Sequence, residues 1–331
     1  MIYPRPVKIT GFGKYLPAEM TSRELEHKYT LPYGWSEKFS GVVTRRRVTF
    51  ETNGYMGARA IEAALANAGL KLSDIDMIIS ASATFDYPLP NCASVIKSEL
   101  SDCLKTDIPA IDIDSSCLSF VSAYEYASNL LNGVQYKRII IVSSEISSIG
   151  SNPGNWETLT LFGDAAVAVI LQYDEASGSK FIKGGQRTYS EGVYDTIIKG
   201  GGNKYYFNDH PFNPELHSFS MNGISLLRLA QKKVPEFMKW FFSDLDVSFD
   251  DMDAIIPHQA SRTGLNLFKR MYPLKETQMK ESLSRYGNCI AASIPITLCD
   301  SIEQGEIKRG DLCLLCGTSA GFAIGAVLIK Y

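Results

Sequence analysis

The sequence predicts an α/β protein built from two copies of one unit, and three observations carry that expectation. Short apolar, β-rich runs alternate with helical patterns along the whole chain, as in proteins whose strands are buried between helices. An acidic turn leading into an apolar strand occurs twice, as Ser73-Asp74-Ile75-Asp76-Met77-Ile78-Ile79 and as Asp250-Asp251-Met252-Asp253-Ala254-Ile255-Ile256. A strand pair also recurs: Arg138 to Ser144 followed by Gly163 to Val169, then Asp311 to Thr318 followed by Gly321 to Leu328. Apolar runs match one another easily, so chance is the competing explanation of these repeats.

In chain order, the clearest strands are Ile75 to Ser80, Arg138 to Ser143 and Ala165 to Leu171. Helical patterns run from Gly57 to Ala68, with Ile61 and Leu65 four apart, and from Leu118 to Leu131. Gly69 and Gly133 stand where left-handed helix caps belong. Pro109 to Asp114 reads as a further buried strand. The halves divide as 1–175 and 176–331, and the second opens with an irregular insert at about 176–221. That insert carries Gly200-Gly201-Gly202-Asn203 and Tyr205-Tyr206-Phe207, and is read as a cover over part of a pocket. A helix resumes near Gly223 and runs through Leu226, Leu229, Ala230 and Val234 towards Trp240.

Composition narrows the class. The 331 residues are 45% hydrophobic and 21% charged, enough for one large core or two smaller ones. A net charge of -3 gives no general attraction for nucleic acid or an anionic membrane, so neither is an expected partner. The first residues lack a signal-peptide apolar run and no apolar run is long enough to span a bilayer, so a cytoplasmic location is expected. Seven scattered cysteines read as free thiols. Cys313 and Cys316 have two-residue spacing but lie in a strand pattern that points them to opposite faces, so no metal site is expected. Gly200-Gly201-Gly202 is not followed by Lys and Ser/Thr opening a helix, so it is not read as a phosphate loop.

Cys117 follows the predicted strand Pro109 to Asp114 and stands at the start of the helix pattern Leu118, Val121, Tyr124, Leu131. A thiol there faces free N–H groups and the positive helix end, which favour a nucleophilic thiolate. Locally, a small buried hydrophobe is the simpler reading. Of the four histidines, His258 stands apart because it ends the strand Ala254 to Pro257 in the opposite half. His27 reads as a surface residue, and His210 and His217 as loop residues of the insert. Asn288 precedes an Ala-rich helix in Gly287-Asn288-Cys289-Ile290-Ala291-Ala292-Ser293, where a plain turn asparagine would also serve.

Taken in order, these segments resemble the β-ketoacyl-acyl-carrier-protein synthase III family of the thiolase superfamily. The motifs are Ile9 to Pro17, Gly41-Val42-Val43-Thr44-Arg45-Arg46-Arg47, Asp114 to Phe120, Phe162-Gly163-Asp164-Ala165-Ala166, Pro257-His258-Gln259-Ala260, and Gly287-Asn288 with Ala291 to Pro295. The resemblance implies a thiolase-like fold, a duplicated half giving five layers, αβαβα. It implies Cys117, His258 and Asn288 as catalytic residues, with the backbone N–H groups of Cys117 and Ala320 as the oxyanion hole. Cys117 would take an acyl group from a thioester, and His258 and Asn288 would stabilise the enolate of a malonyl unit as carbon dioxide leaves. Trp35, Leu89, Gly223, Ser261 and Phe322 would contact substrate, with Leu89 closing the partner's acyl pocket. Acyl carrier protein would dock on Arg228, Arg262, Lys269 and Arg270. A homodimer is implied, its interface including the strand near Ile139 to Ser143. No cofactor is implied, acyl-CoA or acyl carrier protein being substrates.

The chain departs from the family's pattern at several places. Trp35 is followed by Ser36-Glu37-Lys38-Phe39, without the nucleotide-gripping arginine one turn on. A second such arginine is replaced around Asn155-Trp156-Glu157, Ile224 follows Gly223, and Ser261 follows Ala260. These changes predict a donor carried on protein rather than on coenzyme A. Two other readings compete with condensation: an acyltransferase passing the acyl group from Cys117 to a small oxygen or nitrogen nucleophile, and a degenerate subunit supporting an active partner.

Overall fold

The structure, a computed structural model, describes residues 4–206, 208, 210, 213–275 and 277–331; Phe207 of the aromatic run lies outside them. Strands β1 (Val7–Tyr15), β2 (Met77–Ser80), β3 (Ala110–Asp112), β4 (Arg138–Glu145) and β5 (Ala165–Tyr173) form one sheet in the order β1-β5-β4-β2-β3. Strands β6 (Lys180–Thr188), β7 (Ala254–Pro257), β8 (Leu312–Ser319) and β9 (Ala323–Lys330) form a second in the order β7-β8-β9-β6.

The second sheet repeats the first without β3. β2 runs parallel to β4, β4 antiparallel to β5, and β5 antiparallel to β1. Likewise β7 runs parallel to β8, β8 antiparallel to β9, and β9 antiparallel to β6. The repeated acidic turn explains the shared register. Asp76 N–H donates to the Arg138 carbonyl at 2.9 Å while its Oδ2 accepts Arg138 N–H at 2.8 Å. Asp253 repeats this with Leu312, at 3.0 and 2.8 Å. Each aspartate therefore closes a fork that starts a parallel pair, because its side chain takes the one N–H the ladder leaves over.

Helix α1 (Asn53–Ala68) packs on the outer face of the first sheet, against β1, β4 and β5. Helices α2 (Ser119–Leu130) and α5 (Ser293–Glu303) lie between the sheets. Helix α3 (Gly223–Phe242) covers the second sheet and packs on α4 (Arg262–Met271). Five layers result, as the resemblance implied. The core between the sheets includes Leu118, Phe120, Tyr124, Val167, Leu315 and Val327, all at most 2% exposed. Cys313 joins that core while Cys316 faces the opposite side, as alternation along a strand requires.

Four expectations change. Helix α1 starts at Asn53, where Thr52 caps it by accepting Tyr55 N–H at 3.1 Å. Gly57 is interior, and a Cβ there would meet Ile96 at 2.8 Å. Strand β3 is an edge, with Ile111 39% exposed, because nothing pairs with its far side among the described residues. β4, expected to belong to a dimer interface, is paired on both sides and has no free edge to offer a partner. Finally, the stretch read as irregular contains β6. Its glycines hide the strand pattern because a Cβ at Gly184 would be 2.6 Å from Glu125, and one at Gly185 2.8 Å from Trp240. Among the described residues, the rest of that stretch holds loops, short helical turns including Pro214–His217, and a small ribbon pairing Thr196–Ile197 with Ser220–Met221.

The halves meet backbone to backbone. Asn288 N–H donates to the Leu161 carbonyl at 2.9 Å, and Gly163 N–H to the Asn288 carbonyl at 3.2 Å. A Cβ on Gly163 would lie 2.0 Å from the Tyr286 carbonyl oxygen. Gly163→Ala should therefore part this seam and lower stability by about 2 kcal/mol or more. Urea denaturation reads the loss, and an unchanged midpoint would contradict the seam's importance.

Candidate active site

Cys117 lies in the single 3-10 turn Ser116–Leu118 between β3 and α2. Polar staples make that turn: Ser116 N–H donates to Asp114 Oδ1 at 2.7 Å, Ser115 N–H to Ser119 Oγ at 2.9 Å, and Ser119 Oγ to the Ser116 carbonyl at 2.7 Å. They hold Ser116 in the left-handed region, at φ 58°. Helix α2 proper starts at Ser119, so the thiol sits on the turn feeding the helix, one residue earlier than the periodicity suggested. Among the described residues, three of the four non-glycine residues with positive φ flank predicted site positions: Ser116, Ile290 and Phe322. Such strain persists only where surrounding structure overdetermines it.

The backbone N–H groups of Ala320 and of Cys117 itself lie close enough to the sulfur to favour its charged form. These are the two donors expected to form the oxyanion hole, one from each half. Burial pushes the thiol up to about 12, Glu145 adds repulsion, and the two N–H groups only partly offset them. The resting sulfur is thus a thiol, contrary to the thiolate expected at a helix end.

His258 ends β7, where its N–H donates to the Cys316 carbonyl at 2.8 Å. Its ring is 5% exposed and its Nδ1 is buried without a partner. Burial lowers its pKa to about 4, so the imidazole is neutral near pH 7. A buried N–H without an acceptor is rarer than a buried lone pair, which puts the proton on Nε2 and makes that atom a donor. Gly317 lets it approach: a Cβ there would be 2.6 Å from His258 Cβ and 3.5 Å from Leu118, the neighbour of Cys117.

Asn288 is fixed from both ends. Its Oδ1 accepts Ile290 N–H at 2.8 Å and its Nδ2 donates to the Ala260 carbonyl at 3.2 Å. One amide hydrogen is left for a ligand. Ala260 is two residues past His258, so the carboxamide and imidazole share one support. The Ile290–Ala292 turn packs against Ser116–Leu118, which brings the Asn288 segment to the Cys117 turn.

The remaining candidates divide. Phe322 is buried beside Tyr189, their rings 5.9 Å apart, and forms a wall next to Ala320. Ser261 caps α4 by accepting Gly264 N–H at 3.1 Å, so its oxygen is engaged in folding. Gly223 opens α3 behind the cap Asn222. Leu89 is 86% exposed, on the loop after β2, and adds nothing to the site of its own chain. Trp35 stacks on Phe39, centroids 3.9 Å apart, and meets Trp156 edge-on at 5.1 Å. Lys269 pairs with Glu281 and Arg270 donates to the Asn266 carbonyl. Arg228 and Arg262 are exposed and have no ion pair among the described residues. Arg262 rims a surface hollow with Arg23, Lys38 and Tyr33.

Comparison with known proteins gives the family. Residues 111–190 match the model of 3-oxoacyl-[acyl-carrier-protein] synthase III, and residues 242–331 that of its C-terminal part. The chain is 30% identical over 330 residues to the β-ketoacyl-[acyl-carrier-protein] synthase III of Clostridium beijerinckii, covering 98% of this chain and 99% of that one. The chain belongs to the β-ketoacyl-acyl-carrier-protein synthase III family. The Rickettsia rickettsii enzyme of that name is also 30% identical, over 337 residues and with 98% and 99% covered. The crystal structure of the Aquifex aeolicus synthase III superposes with a TM-score of 0.86 at 27% identity, covering 98% of this chain and all of that one.

One site residue of this synthase III fold was missed in the sequence. Glu145, at the end of β4, is fully buried. Its oxygens accept Ala83 N–H at 2.8 Å, Thr84 N–H at 3.0 Å and Thr84 Oγ at 2.6 Å. Burial nevertheless raises its pKa to about 8, against the pull of those donors. Nothing in the run Ser143-Ser144-Glu145 marks it, since its partners are distant in sequence. When ionised it disfavours the Cys117 thiolate. Glu145→Gln should therefore speed iodoacetamide alkylation of Cys117 above pH 8, where the wild-type carboxyl is charged, and change it little at pH 7. Superimposable pH profiles would refute this.

Proposed function

We propose that this protein joins two acyl units by decarboxylative condensation. Cys117 Sγ attacks an acyl thioester carbonyl; the donor's thiol leaves with the proton that Cys117 releases, and an acyl-enzyme remains. A malonyl thioester then loses carbon dioxide. The electron pair left behind forms an enolate that attacks the acyl carbon, and the Cys117 sulfur departs and regains a proton. The observation that carries this is the convergence of the Ala320 and Cys117 N–H groups on one sulfur, beside an asparagine with an uncommitted amide hydrogen. Both steps build charge on oxygen, and fixed neutral donors stabilise it without reorganising.

Simple transfer of the acyl group to an oxygen or nitrogen nucleophile is the second reading. It would not need Asn288, whose careful fixing favours condensation. Cys117→Ala should abolish acyl loading seen by intact mass. Asn288→Ala should still load, but release carbon dioxide from malonyl carrier protein about 100-fold more slowly. Loading by a wild-type protein that releases no carbon dioxide would favour transfer.

An acyl carrier protein fits as donor and partner. Phe39 and Trp156 surround Trp35 where the family's nucleotide-gripping arginines are expected, so an adenine base finds an aromatic cluster there whose neighbouring cation, Lys38, already lies over the Phe39 ring at 5.1 Å. The exposed Arg228 and Arg262 offer an acidic carrier free charge. The enzyme should load from an acyl carrier protein faster than from the same acyl-CoA, measured side by side; a preference for acyl-CoA would reverse the assignment. A homodimer through β3 is supported by its unpaired edge and by the exposed Phe85, Tyr87, Leu89 and Ile111 around it. Among the described residues, no helix is long and apolar enough to cross a membrane.

A further inference from the structure

Asp300 is a buried carboxylate on α5 that the chemistry above does not use. It is 3% exposed, and three donors converge on it. Lys14 Nζ, from β1 in the other half, lies 2.6 Å from Oδ1. Tyr286 OH donates to Oδ2 at 2.9 Å, and Arg285 Nη2 lies 3.0 Å from the same oxygen. Two of these donors belong to the turn immediately before Asn288.

That turn has little other freedom. Gly287 is left-handed at φ 71°, and a Cβ on it would be 2.4 Å from the Leu161 carbonyl oxygen. Thr44 Oγ donates to the Arg285 carbonyl at 2.8 Å, and Val43 N–H to that of Ser284 at 2.8 Å. These bonds fix where the turn sits. The Tyr286 ring, anchored at its far end by Asp300, fixes how it is rolled about the chain. A roll of the Tyr286-Gly287 peptide would carry the Asn288 carboxamide with it and redirect its free amide hydrogen.

We propose that Asp300 is a positioning residue for the condensation step, acting through Tyr286 to aim Asn288 at the thioester carbonyl of the malonyl unit. This rests on the condensing activity proposed above. Its signature is a split between the two half-reactions. Among the described residues no hydrogen bond or ion pair joins Cys117 or Ala320 to Asp300, Tyr286, Arg285 or Lys14, so loading does not depend on the cluster, whereas the malonyl step does.

The test measures acyl loading by intact mass and carbon dioxide release from malonyl carrier protein, on the same full-length preparations. Asp300→Asn should slow carbon dioxide release by about 10- to 100-fold, as expected for a misaimed donor, with loading within about twofold of wild type. Tyr286→Phe keeps the ion pairs with Lys14 and Arg285 and removes only the hydroxyl bond; it should show the same split, at about 3- to 10-fold. Equal falls in both half-reactions, tracking a lowered denaturation midpoint, would show a merely structural carboxylate and overturn the proposal. Wild-type rates of carbon dioxide release in Tyr286→Phe would overturn it as well. If the wild-type protein loads but never releases carbon dioxide, the condensing function itself fails, and this inference with it.

Discussion

The site depends on one contact between halves: the Ala320 N–H reaching the Cys117 sulfur. Cys117 is carried by a turn of the first half and Ala320 by the loop after β8 in the second, so this approach exists only if both sheets stack at one separation. On the second-half side Gly317 leaves room for His258, with which any side chain there would collide. The backbone seam of Leu161 and Gly163 with Asn288 fixes the lateral register. Left-handed Ser116 and Phe322 are then the local deformations needed to turn both N–H groups towards the sulfur.

Burial governs the charges at this contact. It raises the Cys117 thiol to about 12 and the Glu145 carboxyl to about 8, and it lowers His258 to about 4. All three shifts favour the neutral form, so near pH 7 the site holds little charge. Such a site is poorly suited to storing a thiolate. It suits a reaction in which negative charge appears transiently on oxygen, because the donors are already in place and little water competes with them. The Cys117 proton is therefore best released as the donor thioester arrives, rather than in the empty enzyme.

Much of this was legible in the sequence because its signals are local. An acidic turn before an apolar run marked β2 and β7, and short ordered motifs marked Cys117, His258 and Asn288. What escaped depends on contacts that a linear pattern does not carry. β6 was hidden by Gly184 and Gly185, whose missing side chains make room for Glu125 and Trp240. β3 looked buried because an apolar run cannot reveal whether a strand is central or at an edge. Glu145 meets Thr84 across 61 residues, and Asp300 meets Lys14 across 286. Neither carboxylate has a distinctive neighbour, so only the folded chain shows that it is buried and engaged.

The duplication also explains why Asn288 lies where it does. In the first half, left-handed Ser116 opens the turn Ser116–Leu118, Ser119 Oγ accepts Ser115 N–H at 2.9 Å, and α2 follows. In the second half, left-handed Ile290 opens the turn Ile290–Ala292, Ser293 Oγ accepts Cys289 N–H at 3.0 Å, and α5 follows. The two elbows are copies, and Ala291 occupies the position of Cys117. Because α2 and α5 share the central layer, their elbows are brought face to face, and two nucleophiles there would compete for one acyl group. With a methyl group at the second elbow, the turn is free to play a different part. Its first N–H, on Ile290, clamps the Asn288 oxygen and leaves the amide nitrogen to donate. One inherited piece of backbone thus serves as a nucleophile mount in one half and as a hydrogen-bond donor mount in the other.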